Sequence, residues 1–368
     1  MPEVIYRKYR PRSFSEVVGQ RHVVAVLEKA LLKNRIAHAY LFSGPRGTGK
    51  TTVARIFARA VNCANLEAQL PRKEVELPCN RCEICSEFLS GKTLDLVEMD
   101  AASNRGIDEV RSLREAVQVL PFKTKYKVYI VDEVHMLTNE AFNALLKTLE
   151  EPPPHIIFIL ATTELEKIPD TIVSRSQHFE FRPIAEEEIQ SALAAIAKQE
   201  GLAIDPEALG IIAALAEGSL RDAQSTMEQA ISYGEKLGAS EVREILGIPE
   251  REILEKLLAA ILSKDAKSAV KIIHKNAEAN ADMKGFSKLL IRSLRFALYL
   301  KLDGNYEKEF ARFLSGPELK FLKETADKFS LPDLEKALKE LYKSYQFIKL
   351  SYLQELPLEL AVLKIASG

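Results

Sequence analysis

The sequence predicts an α/β fold: a parallel sheet covered by helices, carrying a cysteine-rich insertion and followed by a half that is helical throughout. Three observations carry that expectation. Over residues 1 to 180, short apolar runs alternate with helical patterns; the runs are Ala37 to Ser43, Asp95 to Met99, Lys127 to Val131 and His155 to Ala161. Parallel strands need long crossovers between them, and helices fill those crossovers. From Ala185 onward the apolar residues recur at helical spacing instead. Between the first and second runs lie all four cysteines of the chain, at positions 63, 79, 82 and 85.

Size and composition set the limits. A chain of 368 residues can hold two or three domains. Its 47% hydrophobic and 28% charged content is that of a globular protein, not of a disordered one. The formal net charge of -1 provides no global basic field, so any nucleic-acid contact must be local. No apolar run approaches the roughly 18 residues of a membrane span, and the charged N-terminus lacks an apolar signal core. A cytoplasmic protein with reduced thiols and no membrane partner is expected, which favours metal binding over disulfides.

The first element is a phosphate-binding loop. Gly44-Pro45-Arg46-Gly47-Thr48-Gly49-Lys50-Thr51 fits G-x-x-x-x-G-K-[ST], fed by the run Ala39 to Ser43 and left by a helix opening at Thr52. Gly44, Gly47 and Gly49 let backbone N–H groups turn toward phosphates, and the N–H groups of Thr48 through Thr52 share that cradle with the helix dipole. Lys50 is placed to reach the β- and γ-phosphates. The Thr51 hydroxyl is placed to ligate Mg²⁺.

The cysteines come next. Cys79-x-x-Cys82-x-x-Cys85 can present three thiolates to one ion, and Cys63 can supply a fourth. Tetrahedral Zn²⁺ suits that set; an iron–sulfur cluster also accepts short Cys-x-x-Cys spacing.

The run Val128-Tyr129-Ile130-Val131 ends in Asp132-Glu133. Ligands of open parallel sheets bind at the C-terminal strand ends. There Asp132 would hold Mg²⁺ through water and Glu133 would polarise an attacking water. The run Ile159-Leu160-Ala161 ends in Thr162-Thr163, either of which could sense a γ-phosphate or cap the next turn. Helices are expected over Glu186 to Glu200, Asp205 to Glu217 and Leu220 to Leu237, with Asp205-Pro206 and Ser219 as starts. Farther on, Ile253, Leu254, Leu257, Leu258 and Ile261 share one helical face. Breaks fall at Gly304-Asn305 and Gly316-Pro317, and Pro332 opens another helix.

In this order the motifs resemble the AAA+ ATPases, and more finely the gamma/tau subunits of bacterial DNA polymerase III. Four stretches carry the resemblance: Arg7-Lys8-Tyr9-Arg10-Pro11 through Phe14 to Val17-Val18-Gly19-Gln20; the phosphate loop; Asp132 to Leu137 followed by Asn143 to Pro153; and Ile172-Val173-Ser174-Arg175. It is strong over residues 1 to 245 and weaker beyond.

The resemblance implies an AAA+ domain at 1–180 with a zinc module near 62–90, a helical lid at 181–245 and a helical collar at 246–368. It implies an ATPase that opens a sliding clamp and places it on primed DNA, within a heteropentamer of clamp-loader subunits. ATP, Mg²⁺ and Zn²⁺ are the implied cofactors. Arg175 takes the place of an arginine acting on a neighbour's nucleotide, although Ser176 stands where related loaders usually have cysteine. Arg221 takes the place of the lid arginine that contacts phosphate in cis. Arg10, Pro11 and Val18 match the adenine-side positions. Asn104 and Arg105, near a helix start, are candidates for DNA phosphates, with helix capping by Ser103 or Asn104 as the alternative. Family members often continue past the position of Gly368. The other readings are a binding module that does not hydrolyse and a different AAA+ machine such as a Holliday-junction helicase. The intact Lys50, Thr51 and Glu133 argue against the first, and the cysteine insertion against the second.

Overall fold

The structure is a computed structural model that describes residues 4–68, 77–104, 106, 113, 115–234 and 236–367. Arg105 therefore lies outside the described residues. Contacts divide the chain into two compact units: Met1–Ala185 with Gly218–Arg221, and Glu186–Glu217 with Asp222–Gly368.

The first unit is built on five strands: β1 (Ala39–Ser43), β2 (Leu96–Asp100), β3 (Lys127–Asp132), β4 (Ile156–Thr162) and β5 (Gln177–Glu180). All pair in parallel, in the order β2-β3-β4-β1-β5. β1 and β4 are buried along their whole length, as strands covered on both faces must be. Period-two alternation splits their side chains between two cores. Tyr40, Phe42, Val128, Ile130, Ile157 and Ile159 join Val53 and Phe57 of the helix Lys50–Val61 on one face. Leu41, Tyr129, Val131, Phe158 and Leu160 join Phe142 and Leu145 of the helix Asn139–Glu150 on the other.

β5 was not expected from sequence. Gln177-His178-Phe179-Glu180 sits at the sheet edge with Phe179 as its one apolar and one buried residue, so it shows no apolar run. The order also places β1 between β4 and β5, which brings the C-terminal ends of β3, β4 and β1 side by side. Ser43 pairs with Thr162, and Val131 with Leu160.

Among the described residues, the regular structure of the second unit is helical apart from one short parallel pair, Ala203–Ile204 with Lys236–Leu237. The helix starts are written locally. Asp205, Asp265, Asp282, Ser315 and Ser330 each accept an N–H of their own first turn. Pro206, Pro317 and Pro332 stand in first turns, where the missing N–H costs nothing. One expected span is corrected. The helix expected from Leu220 to Leu237 ends at Ile231, and the chain turns at Ser232–Gly234 so that Lys236 and Leu237 pair as a strand. In Arg251–Leu262 the buried face is Leu254, Leu257, Leu258, Ile261 and Leu262, with Ile253 half-buried at its margin.

Candidate nucleotide site and four-cysteine centre

The loop after β1 takes a shape that glycine makes possible. Gly44, Gly47 and Gly49 have φ of 136°, 75° and 101°, the left-handed region that side chains disfavour. Space matters as well at two of them. A Cβ on Gly44 would stand 2.1 Å from the Phe181 carbonyl oxygen, and one on Gly47 would stand 1.9 Å from Ser219 Oγ. Gly49 caps the helix Lys50–Val61, whose first-turn N–H groups are free to meet an anion.

Lys50 is 5% exposed and donates to the loop's own carbonyls, Gly44 O at 2.7 Å and Pro45 O at 2.8 Å. Burial holds its pKa below the usual lysine value, opposed by the charges of Glu133 and Asp132. Its nearest hydrogen-bond partners are thus neutral, and a phosphate would compete with them well. Thr48 closes the loop by donating to Pro45 O at 2.8 Å.

The strand ends complete the site. Thr51 Oγ1 donates to Asp132 Oδ2 at 2.7 Å, joining two hard oxygen donors across 81 residues. Glu133 is a non-glycine residue with φ 48°. Its Oε2 accepts from the Thr163 hydroxyl at 2.9 Å and the Thr163 N–H at 3.2 Å. Thr162 is fully buried; its hydroxyl lies 2.9 Å from His135 Nδ1 and accepts from Glu164 N–H at 3.0 Å. The two threonines that sequence left as alternatives therefore differ. Thr163 touches the carboxylate, and Thr162 touches the histidine behind it.

His135 is a residue that sequence reasoning missed. Its side chain is 5% exposed, with Nδ1 3.4 Å from Glu133 Oε2 and Nε2 3.0 Å from Glu164 Oε1. The available signal was its place two residues beyond Glu133, in the turn Val134–Met136.

A broad groove runs from this loop's helix toward the cysteines. Arg10, Pro11, Thr52, Arg55, Arg59 and Arg221 line it. The Arg221 guanidinium lies over the Tyr6 ring, 4.9 Å from its centroid. Val18 is half-buried and is not part of that lining. Arg175 is engaged elsewhere: Nη2 donates to Glu150 Oε1 at 2.8 Å and Nη1 to Thr171 O at 2.9 Å. Asn104 turns its amide back to Asp100 O at 3.0 Å, closing the turn after β2.

The four cysteines converge. Their sulfur atoms all lie within 4.8 Å of one another. Four thiolates about 2.3 Å from one ion would stand roughly 3.8 Å apart, and Cys79 Sγ and Cys85 Sγ are 3.9 Å apart. Backbone N–H groups of Cys82 and Cys85 point at Cys79 Sγ and Cys82 Sγ, both at 3.4 Å. A hydrogen bond from Cys85 pulls the Cys63 thiol down to about 5, and the same bond raises Cys85. Arg59 sits near this charge: burial lowers its pKa, while Cys85 and Cys63 oppose the shift.

Comparison with known proteins agrees over the whole length. Family models match in three consecutive stretches: "DNA polymerase III, delta subunit" over 19–185, "DNA polymerase III clamp loader subunit, ATPase lid domain" over 188–236, and "DNA polymerase III subunits gamma and tau domain III" over 237–368. The DNA polymerase III subunit tau of Bacillus subtilis is 40% identical over 99% of this chain and 63% of its own length. The subunit gamma of Buchnera aphidicola subsp. Schizaphis graminum is 38% identical over 93% of this chain and 94% of its own. Among solved structures, the Thermotoga maritima RuvB Holliday junction branch migration motor overlaps 69% of this chain and 79% of its own, at 20% identity and a TM-score of 0.48.

Proposed function

Because the chain belongs to the DNA polymerase III gamma and tau subunit family, we propose that it is the ATP-hydrolysing subunit of a replicative clamp loader. In this reading it works in a heteropentamer with other loader subunits, opens a sliding clamp and places it on primed DNA in the cytoplasm. Its three domains would be the AAA+ core at 1–180, the lid at 181–245 and the collar at 246–368. No helix among the described residues is long and apolar enough to cross a membrane.

The observation that carries the reading is the meeting of Lys50, Thr51, Asp132, Glu133 and Thr163 at neighbouring strand ends. Backbone N–H groups from Gly47 to Thr52 and the Lys50 ammonium would hold the β- and γ-phosphates. Thr51 and Asp132 offer oxygen donors suited to Mg²⁺, which when bound neutralises phosphate charge. The Glu133 carboxylate would orient and polarise the attacking water, with Thr163 fixing one of its oxygens. Arg10, Pro11 and Val18 would flank the adenine. Arg221 reaches the lining beside Thr52, as a cis phosphate ligand should. Arg175, tied to Glu150 on the surface, suits a role toward a neighbouring subunit's nucleotide.

Cys63, Cys79, Cys82 and Cys85 would hold Zn²⁺. Sulfurs this close suit one ion better than a cluster, in which the four thiolates are divided among two or four irons and the bridging sulfides spread them apart. All four donors come from protein, leaving no open position, so the zinc would be structural.

Two substitutions test the assignment together. Glu133→Gln should keep ATP binding while slowing hydrolysis by about 10²-fold or more. Arg175→Ala should leave ATP binding by the isolated chain unchanged, yet lower clamp- and DNA-stimulated hydrolysis in the reconstituted loader by roughly 10³-fold. Normal turnover in the first variant would assign the water to another base. Normal turnover in the second would return Arg175 to a surface ion pair.

A further inference from the structure

The cysteine centre and the adenosine side of the nucleotide site meet at one backbone oxygen. Arg12 O accepts from Asn80 Nδ2 at 3.0 Å and from the Arg59 guanidinium. A carbonyl only accepts, so the Asn80 amide must present its nitrogen there. Asn80 follows Cys79 directly and has φ 55°, a conformation set by the turn that aims Cys79 and Cys82 at one point. Arg59 lies on the helix Lys50–Val61, which begins at the phosphate loop, and is buried. Its guanidinium lies within electrostatic reach of Cys85 and Cys63. A divalent ion held by four thiolates is a dianion, and a buried guanidinium is its natural counter-ion.

Arg12 ends the segment whose preceding residues, Arg10 and Pro11, line the groove with Thr52 and Arg221. Phe88, from the helix Glu83–Ser90 that Cys82 caps, forms part of the same wall. The segment is thus pinned from two sides: by the cysteine turn through Asn80, and by the phosphate-loop helix through Arg59.

We propose that Asn80 and Arg59 are positioning residues that tie the Arg10–Arg12 segment to the four-thiolate centre, so that a filled centre sets affinity for the adenosine half of the nucleotide and leaves the triphosphate half unaffected. This rests on the nucleotide-site reading above. Without a metal, the turn at Cys79–Cys82 loses its fixed geometry and Arg12 O loses one donor. The wall made by Arg10 and Pro11 then loosens, while Lys50 and the loop N–H groups stay as they are.

The test uses the full chain, with its metal content measured, and two probes: Mg-ATP, and inorganic tripolyphosphate with Mg²⁺. The variants are Asn80→Gly, which keeps the left-handed backbone, and Asn80→Asp, which sets an acceptor against the carbonyl. Titration calorimetry should show Mg-ATP binding weakened about 3–10-fold in both, the loss of one hydrogen bond. Tripolyphosphate affinity and bound zinc should match the parent. Stripping the metal from the parent should give the same selective loss, and stripping Asn80→Gly should add little to it. Parent-like ATP affinity in the zinc-loaded variants would overturn the proposal, as would equal weakening of both probes. A parent chain that binds neither probe would sink the nucleotide-site reading itself, and this inference with it.

Discussion

Two largely enclosed cations, Arg292 in the helical unit and Lys50 in the sheet unit, are treated in opposite ways. In the helical unit, Arg292 bonds Glu186 through Nε at 2.9 Å and also bonds Glu318. Burial works against its charge, but the carboxylates of Glu318 and Glu186 outweigh that and push its pKa up. In the sheet unit, Lys50 is buried against neutral carbonyls, and its pKa goes down. A cation surrounded by carboxylates is finished and serves as a tie between helices. A cation left with weak neutral acceptors keeps a charge for which an incoming anion is the better partner. Burial alone does not mark a functional residue; the character of its partners does.

Breaking the tie should have the largest effect. Arg292→Ala would leave the half-buried Glu186 and Glu318 without their counter-charge, and denaturant unfolding should show a loss of about 2–3 kcal/mol. Replacing all three by apolar residues of similar volume should recover most of it. A single-variant loss under about 1 kcal/mol would mean water reaches the network and screens it.

Lys50 should reverse that pattern. Lys50→Met should weaken nucleotide binding by about 100-fold or more, since charge-assisted bonds to phosphate contribute roughly 1.5–3 kcal/mol each. The unfolding midpoint without nucleotide should hold or rise, because a poorly satisfied buried charge has been removed. A stability loss comparable to that of Arg292→Ala would erase the contrast between the two sites.

The smallest effect concerns a buried anion of the sheet unit that is satisfied by backbone. Asp95 accepts from the N–H groups of Phe122, Lys123 and Thr124 and from the Thr124 hydroxyl. Burial alone would raise its pKa, but those donors together hold it below the ordinary aspartate value. A folded pKa under the unfolded one gives stability that is present above the unfolded value, near pH 4, and lost as pH falls through the folded value. Asp95→Asn should cost about 1–2 kcal/mol at neutral pH and flatten the acid limb of the stability profile below about pH 4. An acid limb unchanged in the variant would assign that pH dependence to other carboxylates.

What the sequence determined by itself is whatever neighbours in the chain can encode. The phosphate loop was legible because its glycines, Lys50 and Thr51 are contiguous between a strand and a helix. Helix starts at Asp205, Ser315 and Ser330 were fixed by side chains capping their own first turn, and the buried strands by unbroken apolar runs. The spacing of Cys79, Cys82 and Cys85 likewise predicted three convergent thiols. Only the tertiary structure decided the pairings between distant residues. The strand order, with β1 between β4 and β5, brings Asp132 to Thr51 and Thr163 to Glu133, and no local pattern records which strands become neighbours. β5 stayed hidden because Phe179 is the one apolar residue among its four, too few to make a run. His135 stayed hidden because its partners, Thr162 and Glu164, lie on another strand's end. The bond from Asn80 to Arg12 spans 68 residues. Such contacts form when the whole sheet and its insertion close together, since the entropy of ordering each long loop is offset by the core's burial and not by the bond itself.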